Sequence, residues 1–328
     1  MCTLVAPPIR RRQWLGLATA AVVVGAAGLA GCHQQPPLRL GSIVFTGYEP
    51  VFMARELGWL DPALVRLVEL YSNTDALRAL AAGQIEAAQL TVDEFLSGRA
   101  EGLDLRIIAV LDESLGADVV IAHPQLHDRQ DIRGRRIAVE DGAVGAVMLS
   151  AFLNARGVEP SDVVTVPVAL GHNLELFRQG SADLFVTAEP WASRLEHLGG
   201  IRLFDSAAIP ERIVDVMVAR ADTLEPWADG LHAAVAAHFR AVALLKNEPE
   251  RAAALMSKRL QLPPDEVMAS LKGLVQPNAA ESLKLLDPDG PLLRNIQDLQ
   301  QLMVDEGLLP RLSPPASLFD PRFHPSPT

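Results

Sequence analysis

Apolar and polar positions alternate along the chain in short blocks whose period switches between two and about 3.6, as in an α/β protein. Residues 38–45 alternate at period two and predict a strand; Pro50 then stands where a helix can start and Gly58 where it stops. Residues 65–70 predict a second strand. Leu77, Leu80 and Ala81 follow at helical spacing as far as Gly83, and 87–90 predicts a third strand. Thr91-Val92-Asp93-Glu94 fits a capping box that opens another helix. The aliphatic run 105–111 reads as a buried parallel strand. A second set then begins, with strands at 137–139, 163–168 and 184–187 and helices at 144–155, 174–179 and 191–198. Residues 214–219 predict one more strand, and from Trp227 the pattern is helical until a tail from Pro310 whose six prolines favour extended chain. One spacing occurs twice: Leu77-x-x-Leu80-x-x-Gly83-x-x-Glu86 and Leu174-x-x-Phe177-x-x-Gly180-x-x-Asp183 each read as helix, glycine stop, acidic turn and strand.

A chain of 328 residues with 49% hydrophobic and 21% charged positions is long enough for two α/β lobes. The first 31 residues stand apart. They hold no acid, Arg10, Arg11 and Arg12 precede an apolar run over 15–29, and the run ends in Leu29-Ala30-Gly31-Cys32. Basic, apolar and small-residue zones in that order predict a processed export signal. The final tetrapeptide resembles the lipobox of bacterial lipoproteins, and Arg11-Arg12-Gln13-Trp14-Leu15 resembles a twin-arginine signal. The expectation is a signal peptide over 1–31, lipidation of Cys32, and a short tether over 32–37. Cleavage removes Cys2, leaves no free thiol, and takes the net charge from −11 to −14 with the loss of three arginines. That sign opposes phosphate backbones, so nucleic acid is not an expected partner.

In open α/β sheets ligands gather beyond the carboxyl ends of the strands. Seven predicted loops meet that condition, and together they carry ten acids (Glu49, Asp75, Asp93, Glu94, Asp112, Glu113, Asp118, Glu140, Asp141, Glu189) with no Lys or Arg. The inventory suits a cationic, zwitterionic or neutral ligand. Asp75, Asp93, Glu94 and Glu113 read mainly as helix caps and first-turn acids, and Asp118 as ordering its loop. Glu189 stands between a strand mouth and Trp191, and Tyr48 occupies the comparable loop of the first half, so a carboxylate between two aromatic rings could clamp an ammonium group. The eight histidines are scattered without metal-ligand spacing, and the serines have no His and acid at recognisable spacing. No cofactor, metal site or catalytic constellation is expected.

The order of motifs resembles the nitrate/sulfonate/taurine family of substrate-binding proteins, which includes binders of thiamine-pyrimidine precursors. Gly47-Tyr48-Glu49-Pro50, Glu56-Leu57-Gly58, Asp75-Ala76-Leu77, Ser114-Leu115-Gly116-Ala117-Asp118, residues 131–139 with Gly142, and Glu189-Pro190-Trp191 carry the resemblance over nearly the whole mature chain. It implies a type II periplasmic-binding fold, with lobe I from 38–120 and 217–328, lobe II from 121–216, and a hinge of two crossing strands near 119–123 and 214–220. It also implies ligand-facing roles for Thr46, Tyr48, Glu49, Asn73, Thr74, Thr91, Ser114, Val144, Gly145, Glu189 and Trp191. The expected protein is a monomeric, exported, membrane-anchored lipoprotein that captures a small sulfonate-, taurine- or nitrate-type or nitrogen-containing organic ligand between two closing lobes and hands it to an ABC permease and ATPase. An acidic rim of Glu49 and Glu189 departs from simple anion binding and favours a zwitterion, a pyrimidine or a small cationic nitrogen compound. The alternatives are an enzyme on the same fold, of thiamine-pyrimidine or menaquinone-pathway type, and a ligand sensor for a membrane kinase.

Overall fold

The computed structural model describes residues 35–126, 131–140, 143–313 and 317–325. The expected signal peptide, Cys32, Asp141 and Gly142 lie outside the described residues. From Pro37 onward the chain is one compact unit built on two sheets. Among the described residues no helix is long and apolar enough to cross a membrane.

The first sheet has the order β11-β4-β10-β3-β1-β2 and the second β7-β6-β8-β5-β9. In the first, β1 (Leu38–Ser42) pairs in parallel with β2 (Val65–Glu69) and β3 (Ala87–Thr91). Helices α1 (Glu49–Glu56), α2 (Asn73–Ala81) and α3 (Val92–Ala100) connect and follow these strands. The run expected to be a parallel strand is β4 (Leu105–Ser114), and its ladders are antiparallel on both sides, to β10 (Val214–Arg220) and to β11 (Leu274–Val275). Its aliphatic residues are buried on both faces, and it is that burial which makes such a run look parallel in sequence.

The second sheet repeats the plan. Strand β6 (Arg136–Val139) lies parallel to β7 (Val164–Pro167) and β8 (Leu184–Ala188), while β5 (Asp118–Ala122) runs antiparallel to β8 and to β9 (Ile201–Asp205). Helices α4 (Ala143–Arg156), α5 (Asn173–Gln179) and α6 (Trp191–His197) cover it. Each sheet therefore contains one inner antiparallel strand reached from the other sheet. The chain passes between sheets at 115–117 and 206–213, upstream of the expected 119–123 and 214–220. Residues 118–120 consequently belong to the second sheet and 214–216 to the first, because their ladder partners lie there.

The repeated spacing has a structural counterpart. Arg39 at the start of β1 donates its backbone N–H to Glu86 (2.8 Å) and a guanidinium N–H to the Gly83 carbonyl (2.9 Å). Arg136 at the start of β6 makes the same pair of bonds to Asp183 (2.8 Å) and Gly180 (3.1 Å). Gly83 and Gly180 hold φ near +67° and +62°, the left-handed helix stop that disfavours a side chain. The acid three residues on then fixes the next strand beside the first.

The C-terminal third packs on the first sheet. Helices α7 (Ala228–Asn247), α8 (Pro249–Leu260) and α9 (Pro264–Ser270) cover one face with α1. Helices α10 (Ala279–Leu285) and α11 (Pro291–Asp305) belong to the core on the other face, with α3. The tail returns as extended chain, Asp320 donating to the Ile107 carbonyl at 2.9 Å and Ile107 to that of Leu318 at 2.8 Å.

Candidate functional site

The parallel strands of both sheets end at the interface between them, and the residues just past those ends are polar. Asn73 from the first half faces Asp118, Glu140, Val144, Gly145 and Thr187 from the second across a small inner cavity of about 30 Å³. Gly145 permits the close fit: a Cβ there would fall 2.8 Å from the Glu140 carbonyl oxygen. The inner cavity shares Ile43 and Leu170 with a second of about 350 Å³, which shares Val44, Gly171 and Trp191 with a third of about 260 Å³. The three form a route from inner chamber to rim. At the rim Tyr71 of the first half stacks on His172 of the second, with ring centroids 5.9 Å apart.

Behind the inner cavity lies a group of buried acids. Asp112 on β4 and Asp215 on β10 are register partners, and the charge of Asp112 adds to burial in raising Asp215. Tyr48 is fully buried and donates its hydroxyl to Asp215. Gly47 makes this approach possible, since a Cβ there would fall 2.3 Å from an Asp112 carboxylate oxygen. Asp93 is fully buried at the start of α3, and its charge is opposed by Asp118 and Glu140. Its neighbour Glu94 closes the expected capping box, accepting from the Thr91 backbone N–H at 3.1 Å. Burial, reinforced by neighbouring carboxylates, pushes Asp93, Glu94, Asp112 and Asp215 up from the ordinary carboxylate range, and Asp118 to about 6. Glu140 is raised by burial too, although it accepts a hydrogen bond from the Thr74 N–H at 3.3 Å. Among the described residues, no Lys or Arg forms an ion pair with any of these six acids.

Glu49 and Glu189 are placed differently. Glu49 is 1% exposed and forms an ion pair with Arg259 of α8, which also donates to the Ile43 carbonyl at 3.2 Å and lies 3.4 Å from the Phe52 ring centre. Glu189 accepts from the Ser193 hydroxyl (2.8 Å) and N–H (3.2 Å) and sits 3.5 Å from Arg202. Both carboxylates thus have partners that the loop inventory, free of Lys and Arg, did not contain. The pairing of Tyr48 with Trp191 also changes. Tyr48 belongs to the acid group, whereas Trp191 lines the outer two cavities beneath Arg194, 4.3 Å from its ring centre. Removing the Glu189 carboxylate, as in Glu189→Ala, takes away a first-turn cap of α6 and should cost about 1–2 kcal/mol. Chemical denaturation checks this, and affinity for ligand should change less than threefold.

The other expected residues divide similarly. Thr46 is buried, 3.4 Å from the Ser270 hydroxyl, and Ser114 pairs with Ser206 at 2.8 Å while accepting from the Asp118 N–H, so it braces the crossing. Asn73, Val144 and Gly145 line the inner cavity; Thr74 binds Glu140 across it, and Thr91 lies at the end of β3 beside Asp93. The ligand-facing set implied by the resemblance omits Asp215, Gln89, Asn173 and Thr187, although Asn173 and Thr187 stand in two of the seven predicted strand-end loops. Gln89 is fully buried, and among the described residues its amide nitrogen and oxygen have no hydrogen-bond partner; the Asn73 and Asn173 side-chain oxygens and the Thr187 hydroxyl are likewise buried without one there. Asp118, read as ordering its loop, lines the chamber, while Asp93, read as a first-turn acid, stands in the first turn of α3.

Two sheets exchanging strands at a hinge, with a polar chamber between the strand ends, define a periplasmic-binding fold. Residues 32–260 match the model of the NMT1-like family, and the chain belongs to that family. It is 27% identical over 178 residues to an aliphatic sulfonates-binding protein of Bacillus subtilis (strain 168), a match covering 52% of this chain and about half, 53%, of the relative. The alkanesulfonate-binding protein SsuA from Xanthomonas axonopodis pv. citri bound to MOPS shares the fold, with a TM-score of 0.71 at 18% identity over 84% of this chain and 96% of that one. A ligand-binding component of an ABC-type import system from Staphylococcus aureus, with zinc bound, has the same TM-score, 0.71, at 16% identity over 88% and 98% of the two chains.

Proposed function

We propose that this chain is the substrate-binding component of an ABC importer, exported and anchored through a lipid on Cys32, and that it captures a small nitrogen-containing organic ligand between two closing lobes. The observation that carries the reading is the chamber at the strand ends, lined by Asn73 and Thr187, whose side-chain oxygens are buried without a hydrogen-bond partner among the described residues. A group of that kind is costly to bury unless something hydrogen-bonds to it. A ligand touching both lobes would make its full set of contacts only when they meet, which supplies the differential affinity that favours closure. The permease would then recognise the closed form.

The relatives named for binding sulfonates support the class of protein and leave the ligand of this chain to its own residues. Calorimetry on the mature chain should find one ligand per protein, and the ligand recovered afterwards should be chemically unchanged. Turnover of the ligand would replace the importer reading with the enzyme reading. For the anchor, Cys32→Ser should leave the precursor unprocessed by lipoprotein signal peptidase in cells; normal maturation of the variant would show that Cys32 is not the lipid site.

A further inference from the structure

The chamber differs from the rest of the molecule in how its acids are met. Buried carboxylates elsewhere have cations: Glu49 has Arg259, Glu86 has Arg39, and Glu189 has Arg202. In and behind the chamber, Asp93, Asp112, Asp118 and Asp215 are each more than nine-tenths buried and have none among the described residues. Asp215 uses one oxygen for the Tyr48 hydroxyl, and its other oxygen receives no hydrogen bond. Two neutral acceptors line the chamber with Asp118 and Glu140: the Asn73 oxygen and the Thr187 hydroxyl, both buried without a hydrogen-bond partner among the described residues.

We propose that the chamber takes a compact organic cation, bearing an amine, guanidinium or amidinium group, whose positive charge is met by Asp118 and Glu140, the two carboxylates that line it, opposite Asn73 of the first sheet. This rests on the binding-protein reading and names its ligand class. A sulfonate or nitrate brought beside these carboxylates would add a like charge in a site of low dielectric, where repulsion is felt most. A cation removes the repulsion that the acids exert on one another and supplies the donors that the unpartnered acceptors need. An organic cation fits better than a metal ion, since among the described residues no three His, Cys, Asp or Glu groups are placed to hold one.

The test is a thermal-shift and calorimetry panel on the mature protein with methylguanidine, acetamidine and 1,4-diaminobutane, set against methanesulfonate, nitrate and taurine. At least one cation should raise Tm by several degrees and bind with a stoichiometry of one, while methanesulfonate and nitrate shift Tm by less than a degree. Asp118→Asn and Glu140→Gln should each weaken that cation at least tenfold, in variants whose circular dichroism and ligand-free Tm show them folded. Binding of methanesulfonate or nitrate in place of the cations, no binding by any cation, or wild-type affinity in both variants would overturn the assignment. The cation's proton spectrum after incubation separates the two readings: an altered cation would sink the binding-protein reading while leaving the charge class standing.

Discussion

Arg259→Met should destabilise the protein by about 3 kcal/mol at pH 7.5, because it leaves the buried Glu49 without its cation. The two residues are far apart in the chain and meet only through the packing of α8 on α1. Burial alone pushes the Glu49 carboxyl up to about 7 in spite of Arg259, so desolvation already outweighs the attraction of the pair. The arginine also packs on Phe52 and reaches Glu69 at 3.3 Å, contacts that methionine replaces only as apolar volume. Glu49→Gln in the same chain should recover at least 1 kcal/mol, since no charge then remains to be buried. Urea denaturation of the four members of the cycle reads this coupling directly. Additive losses would mean that the pair contributes no more than its separate packing.

The ligand-free protein should become more stable as the medium is acidified from pH 7.5 to pH 6. Asp93, Glu94, Asp112 and Asp215 are held above their ordinary range, and Glu49 and Asp118 at about 7 and 6. Each such group binds its proton more readily folded than unfolded. Its contribution is fully present below the unfolded value, near 4, and is lost as pH rises through the folded one. Two histidines act in the opposite sense: burial drives His238 to about 3 and lowers His324, so their contribution is present above the unfolded value and falls away below about 6.5. Between pH 6 and 7.5 the acids outnumber them. One net proton over that interval amounts to about 2 kcal/mol, or a few degrees in Tm for a chain of this size. Asp112→Asn should flatten the slope and raise Tm at pH 7.5. A Tm that stays flat from pH 7.5 to 6, as ion-paired carboxylates would leave it, or that falls, would contradict the burial of uncompensated acid in the chamber.

Much of the fold is legible along the chain because short helices and strands punctuated by glycine carry their periods locally. The repeated spacing around Gly83 and Gly180 marks corresponding units in the two halves, and the structure adds the Arg39 and Arg136 contacts that make them alike. Strand direction was less legible. Residues 105–111 are buried on both faces whichever way their neighbours run, so composition does not distinguish a parallel from an antiparallel ladder. The acid-rich strand mouths were visible, yet their division into paired and unpaired acids was not, because Arg259 and Arg202 arrive from elements outside the loops. Asp215 escaped notice for a different reason. It stands inside the apolar strand β10, where a lone acid signals nothing until the opposite strand supplies Asp112.

The crossings at 115–117 and 206–213 set a gearing for any motion between the sheets. Asp112, Asp118 and Asp215 lie within a few residues of them, so a rotation there carries these carboxylates on a short radius, while Tyr71 and His172 at the rim travel on a long one. An opening wide enough to admit a molecule past the rim would leave the innermost charges nearly where they are. The innermost acids would then attract the incoming ligand from the start, and the outer contacts would report on how far the rim has closed.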